Sequence, residues 1–296
     1  MEACQFRGFR NIIPGNRSDL PPSSKIPSRS GGIRWVTHRG LSSAPRLSTT
    51  ISPMAASSIA ISGTSNNDVF GPVPSEFAEV IVLRHGETTW NASGKIQGHL
   101  DVELNDIGRQ QAAAVADRIS KEFNVSAIYS SDLKRAYETA QIISKSCGLP
   151  EVKKDARLRE RNLGDLQGLA FREAAKLNPK AYQALVSPKP DQEVPGGGES
   201  LDQLYDRATS GLEEIAANHK GEQIVVVTHG GTLRALYKRA GRYAPRGSSQ
   251  GKVLNTSLNI FHLDDSRWVI KRWGDVSHLD RTGFLASGFG GDPHSG

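Results

Sequence analysis

The chain has 296 residues, 37% hydrophobic and 23% charged, which suits a globular protein with one sizeable core and not a low-complexity chain. Its formal net charge is +6, but eight Lys and Arg against Glu2 and Asp19 lie in the first 60 residues; removing them from totals of 37 and 31 leaves 29 of each sign, so the rest is neutral and a nucleic-acid surface loses its support. No run of about 18 apolar residues predicts a membrane span, and two cysteines, Cys4 and Cys147, do not make a disulfide framework.

Residues 1–55 are rich in Ser and Arg, poor in acids, and lack an apolar stretch for secretion. They predict an organelle-import peptide, for chloroplast or mitochondrion, or else an upstream extension of a cytoplasmic protein that begins at Met54. Residues 56–76 read as a linker, 77–281 as the folded domain, and 282–296 as a flexible, Gly-rich tail. The run Ala78–Leu83 (AEVIVL) predicts a strand buried on both faces. Asn105 caps a predicted helix to about Phe123, with Ile107, Val115, Ala116, Ile119 and Phe123 on its apolar face. A short strand over Ser126–Tyr129 follows, then a helix capped by Ser131 or Asp132 that buries Leu133, Ala136, Tyr137, Ala140 and Ile143. A third strand falls within 151–158, and a helical segment over 170–186 restarts near Pro179. VPGGG at 194–198 is a loop, and Ser200 caps a long helix bearing Leu201, Leu204, Ala208, Leu212 and Ile215. Then come a fully apolar strand, Ile224–Val227, a helix, Thr232–Ala240, and two strands, Leu258–Leu263 and Trp268–Arg272, joined at the Asp264-Asp265-Ser266 turn. Strands alternating with helices predict an α/β fold, a three-layer α/β/α sandwich around a mostly parallel sheet.

Two strands end alike. Ile81-Val82-Leu83 runs into Arg84-His85-Gly86, and Val225-Val226-Val227 runs into Thr228-His229-Gly230. Ligands of such sheets sit beyond the carboxyl ends of the strands, and Gly after each His brings backbone N–H groups close. Two histidines suggest zinc, but Arg84 adjoins the first, and no Cys or well-spaced carboxylate completes a shell. Cations favour an anion instead. Neutral imidazole is a good nucleophile toward phosphorus, and Arg84 and Arg135 offer forked donors for phosphoryl oxygens. Thr88, Asn91, Gln97 and Gly98, on the stretch after His85, and Gly230 are candidate substrate-binding positions. Glu160 is a candidate proton donor, although its flanking arginines fit a plain ion pair equally well.

The stretch LRHGETTWN (83–91) resembles the signature of the histidine phosphatase superfamily, in its phosphoglycerate mutase-like branch. IQGHLDVELNDIGRQQA (96–112), YSSDLKRAYETA (129–140), RLRERNLGDLQG (157–168), VPGGGES (194–200) and VVVTHGG (225–231) follow in the family's order, over about residues 78–275. The resemblance implies that His85 is the phosphorylated nucleophile, and that Arg84, Arg135 and His229 hold the phosphoryl oxygens. Glu160 would be general acid, then base for water, and Asn91 part of the phosphate pocket. It implies no metal and no organic cofactor. The implied partner is a small phosphorylated metabolite, with no nucleic acid and no membrane, and a homodimer stays open. The family's true mutases carry a long segment with an aromatic and paired arginines after the Glu motif. Here Gly168–Glu199 is short and holds Arg172, Lys176, Lys180 and Lys189 without such a pair. Hydrolysis is therefore expected over the mutase alternative. A non-catalytic phospho-ligand binder is disfavoured because the whole set of core groups is present.

Overall fold

The computed structural model describes residues 73–241, 253–265 and 267–279. The leader over 1–55, most of the linker, the 282–296 tail and Cys4 lie outside the described residues. Within them runs one six-stranded sheet, in the order β3-β2-β4-β1-β5-β6. Its strands are β1 (Ala78–Arg84), β2 (Val125–Ser130), β3 (Lys153–Lys154), β4 (Gln223–Thr228), β5 (Leu258–Leu263) and β6 (Trp268–Asp275). The first four in sheet order are parallel, and β5 and β6 close one edge antiparallel.

The apolar runs of β1 and β4 follow from cover on both faces. Val80 and Val82 pack with Leu212 and Ile215 of α6 (Leu201–Ala217) and with Leu233 and Leu236 of α7 (Gly230–Ala240). Ile81 and Leu83 point the other way, onto Val115 and Ile119 of α2 (Asp106–Glu122) and Ala136 and Ile143 of α3 (Lys134–Cys147). Side chains alternate between the faces of a strand, so a strand between two helical layers must be apolar throughout. Each fully buried aliphatic side chain here contributes about 1.5–3 kcal/mol. The three-layer expectation holds.

A small third cluster lies outside the sandwich. Ile96, Leu163, Leu166 and Val194 pack with Ala174 of α4 (Phe171–Leu177) and with Ala181 and Leu185 of α5 (Pro179–Leu185). The break at Pro179 is real: Asn178 ends one helix and its side chain accepts the Ala181 N–H of the next, with Pro179 in the first turn.

Several local readings change. Helix α3 starts at Lys134, and neither Ser131 nor Asp132 caps it; the Asp101 carboxylate accepts the Lys134 N–H at 2.7 Å from another loop. Asp132 instead takes a forked pair from Arg159 at 2.6–2.7 Å. The strand expected within 151–158 shrinks to Lys153–Lys154, because Asp155 caps a 3-10 turn over Ala156–Leu158. Helix α7 begins two residues early, at Gly230, directly on the turn after β4. The loop after β1 contains a four-residue helix, α1 (Thr89–Ala92), closed by a reciprocal cap between Thr88 and Asn91. Ile107 and Tyr137 are only half-buried.

Candidate active site

Strands β1 and β4 are parallel neighbours in register, with Arg84 opposite Thr228. That register puts His85 and His229 side by side beyond the same end of the sheet, their ring centroids 5.1 Å apart. Both rings are buried, at 2% and 0% exposure. His85 Nδ1–H donates to the Gly86 carbonyl at 2.6 Å, and a carbonyl can only accept. The hydrogen is therefore on Nδ1, and Nε2 keeps its lone pair. Burial first, then Arg135 and Arg84, hold the His85 pKa well below its ordinary 6.5, so the imidazole is neutral at pH 7.

The turn carrying His85 is gripped from several sides. The Gly86 N–H donates to Thr139 Oγ1 at 3.1 Å, the Glu87 N–H to Gln111 Oε1 at 2.9 Å, and the Asn255 side-chain amide to the His85 carbonyl at 2.9 Å. Gly86 and Gly108 touch backbone to backbone; a Cβ at 86 would lie 2.4 Å from the Gly108 oxygen. Neither position tolerates a side chain.

His229 is held through its other nitrogen. Its Nε2 lies 2.8 Å from Ser131 Oγ, which also accepts the Leu133 N–H at 3.3 Å. A serine hydroxyl can donate as well as accept, and in the tautomer in which Ser131 donates to Nε2, Nδ1 carries the hydrogen. That Nδ1 is buried and has no partner among the described residues. Burial and then Arg135 keep the His229 pKa well below 6.5 too.

Both arginines reach the same place from different elements. Arg135, in the first turn of α3, is 1% exposed; its guanidinium donates to the carbonyls of Leu100 at 2.9 Å and Gly98 at 2.8 Å. Arg84 donates to the Val253 carbonyl at 2.8 Å. Arg135 is anchored through both terminal nitrogens and Arg84 through Nη1, while the Nε of each is buried without a partner among the described residues. Burial pulls each guanidinium down to about 10, opposed by the Glu160 charge, so both remain cations at neutral pH. Three buried nitrogens with hydrogens to give, Arg84 Nε, Arg135 Nε and His229 Nδ1, thus surround a neutral imidazole. That arrangement suits an anionic tetrahedral group.

Glu160 approaches from the loop after the Ala156–Leu158 turn. Its Oε1 accepts the Arg161 N–H at 2.9 Å, and its Oε2 accepts the Gly231 N–H at 3.1 Å in the first turn of α7. A Cβ at Gly230 would stand 3.7 Å from Arg84 Nε and 3.9 Å from Glu160 Oε2, so the guanidinium and the carboxyl flank one spot. The ion pair with neighbouring arginines does not form: Arg159 pairs with Asp132, and Arg161 Nε donates to the Glu199 carbonyl. Thr88, Asn91 and Gln97 form one cluster, with Thr88 Oγ1 3.1 Å from both Asn91 Oδ1 and Gln97 Oε1. Thr88 is fully buried and occupied as the α1 cap; Gly98 contributes the carbonyl that anchors Arg135.

Sequence reasoning missed Asn255 and the part played by Ser131. Asn255 lies 170 positions from His85 and has no local signal. Ser131 was visible only as a potential helix cap. Among the described residues, no group of three or more His, Cys, Asp or Glu is placed to hold a metal ion.

The family model of the histidine phosphatase superfamily, branch 1, matches residues 80–276. Among curated proteins, "Phosphoglycerate mutase-like protein 4" of Arabidopsis thaliana is 61% identical over 222 residues, 75% of this chain and 95% of that protein. "Metal-independent phosphoserine phosphatase" of the same plant is 53% identical over 220 residues, 74% and 91% of the two chains. Among solved structures, a phosphoserine phosphatase mutant from Entamoeba histolytica in complex with phosphoserine aligns with a TM-score of 0.56 at 29% identity, covering 68% of this chain and 99% of that one.

Proposed function

The chain belongs to the histidine phosphatase superfamily, branch 1, and as a metal-independent phosphomonoester hydrolase of that family we propose that it acts on O-phosphoserine or a similarly small phosphomonoester, with His85 as the nucleophile. The observation that carries the reading is the His85 tautomer: Nδ1–H is committed to the Gly86 carbonyl, so the lone pair sits on Nε2, beside cationic Arg84 and Arg135. The choice of phosphoserine rests on the substrate named for two relatives, one of them 53% identical.

In the first half-reaction, His85 Nε2 attacks phosphorus and the P–O ester bond breaks. Arg84 Nε, Arg135 Nε and His229 Nδ1–H hold the three peripheral oxygens as charge shifts onto them. The Glu160 carboxyl gives its proton to the leaving alkoxide. In the second half-reaction, the Glu160 carboxylate takes a proton from water, the hydroxide attacks phosphorus, and the P–N bond breaks. Inorganic phosphate leaves, and His85 is neutral again. Hydrolysis over phosphoryl return fits the modest cover between residues 168 and 199, where two seven-residue helices stand. Import of the protein into a chloroplast or mitochondrion through residues 1–55 belongs to the same proposal.

The test combines a substrate screen with two variants. Wild-type protein should release phosphate from O-phosphoserine and form an acid-labile phosphoenzyme. His85→Ala should do neither, and Glu160→Gln should bind phosphate but turn over roughly 10²–10⁴-fold more slowly. Phosphoenzyme in the His85 variant, or isomerisation of 3-phosphoglycerate without net phosphate release, would overturn the reading.

A further inference from the structure

The segment that presents Glu160 is fastened by a side chain with no place in the chemistry above. Arg207 of α6 uses all five of its N–H donors. Nε and one Nη2 hydrogen go to the two carboxylate oxygens of Glu199. The other three go to main-chain carbonyls: Arg157 and Arg159 from Nη1 and Glu160 from Nη2, each at 2.8 Å. An ordinary ion pair at the start of α6 would not need them. Glu199 closes the clamp on the other side of the segment, with Oε2 accepting the Asn162 N–H at 2.8 Å and its own N–H donating to the Asn162 carbonyl at 2.8 Å. The second lone pair of the Glu160 carbonyl is taken by His99 Nε2–H at 2.7 Å. Backbone is thus fixed at 157, 159, 160 and 162, on both sides of the Glu160 carboxyl group.

We propose that Arg207, braced by Glu199, is a positioning residue for the Glu160 carboxyl, setting where its proton is delivered. The inference rests on the assignment of Glu160 as general acid. Only Arg fits: the ammonium of a lysine has three donors on one nitrogen and cannot span three carbonyls and a carboxylate. Proton transfer is sensitive to placement at the level of an ångström.

The readout is leaving-group dependence. Nitrophenolate departs without a proton, whereas the serine alkoxide needs one. The kcat/KM of purified wild type, Glu160→Gln, Arg207→Lys and Glu199→Gln is measured with p-nitrophenyl phosphate and with O-phosphoserine, with thermal melts to certify folding. Both clamp variants should lose roughly 10- to 100-fold more activity on phosphoserine than on the nitrophenyl ester. Loosening of the fold alone would lower both alike. If Glu160→Gln shows the selective loss and the clamp variants do not, the clamp is refuted and the assignment of Glu160 stands. If Glu160→Gln shows none, that assignment falls and the clamp falls with it. Should Arg207→Lys fail to fold, Glu199→Gln decides by the same criterion.

Discussion

Replacing Gly108 by alanine perturbs the site without altering any group that meets a substrate. An ideal Cβ at 108 would stand 2.0 Å from the Glu87 carbonyl oxygen and 2.6 Å from the Glu87 nitrogen, where Cβ contacts below 3.0 Å essentially never occur. Backbone must therefore retreat by about 1 Å. Helix α2 resists, because the Gly108 N–H is held by Asn105 Oδ1 at 2.7 Å and Val115, Ala116 and Ile119 are buried against the sheet. The loop yields instead, and Glu87 is two residues from His85. The shift lengthens the Gly86 N–H bond to Thr139 and turns the Gly86 carbonyl that fixes the His85 tautomer. Overpacking of this kind costs about 1–3 kcal/mol of stability, and displacement of a reacting group by an ångström lowers the rate roughly 10²-fold. Urea unfolding and phosphoserine kinetics on purified Gly108→Ala measure the two. Turnover within about threefold of wild type, at unchanged stability, would refute the tight coupling between α2 and the His85 turn.

Two predictions concern acid. Burial and the cations Arg135 and Arg84 keep His85 unprotonated through pH 6.5, so the rapid-quench rate of phosphoenzyme formation should persist as pH falls from 7.5 to 6; a decline with its midpoint near 6.5 would contradict this. His278 has its pKa lowered to about 4, first by burial and then by Arg118. The native state resists a proton that the unfolded chain takes up near 6.5, so stability is complete above that pH and falls as pH drops toward 4, by about 3 kcal/mol. His278→Gln should flatten that loss in urea titrations at pH 7 and pH 4.5, and an unchanged pH slope would dismiss His278 as its source.

What the sequence reveals depends on the range of the forces at each residue. Cover on both faces makes β1 and β4 continuous apolar runs, so both strands and the histidines at their ends are legible in six or seven residues. Asn105 caps α2 from next door and is equally visible. The start of α3 is not, because its cap comes from Asp101, 33 residues earlier. Arg135, taken alone, reads as a solvated helix residue; only the loop at 98–100, folded over it, buries the guanidinium. Asn255 and Arg207 act on main-chain groups, which leave no imprint on side-chain pattern. The resemblance to a known family identified Glu160, and local patterning would have left it among the ordinary ion pairs.

The two histidines come from the middle of the sheet, on strands that are 144 positions apart in the chain. Neither half of the polypeptide contains a workable centre, and the pairing that makes one is among the longest-range pairings in the domain. Loop-closure entropy delays such pairings relative to local contacts. Hydrolytic competence should therefore arrive only when the central strands zip together, making the appearance of activity a clock for that long-range pairing.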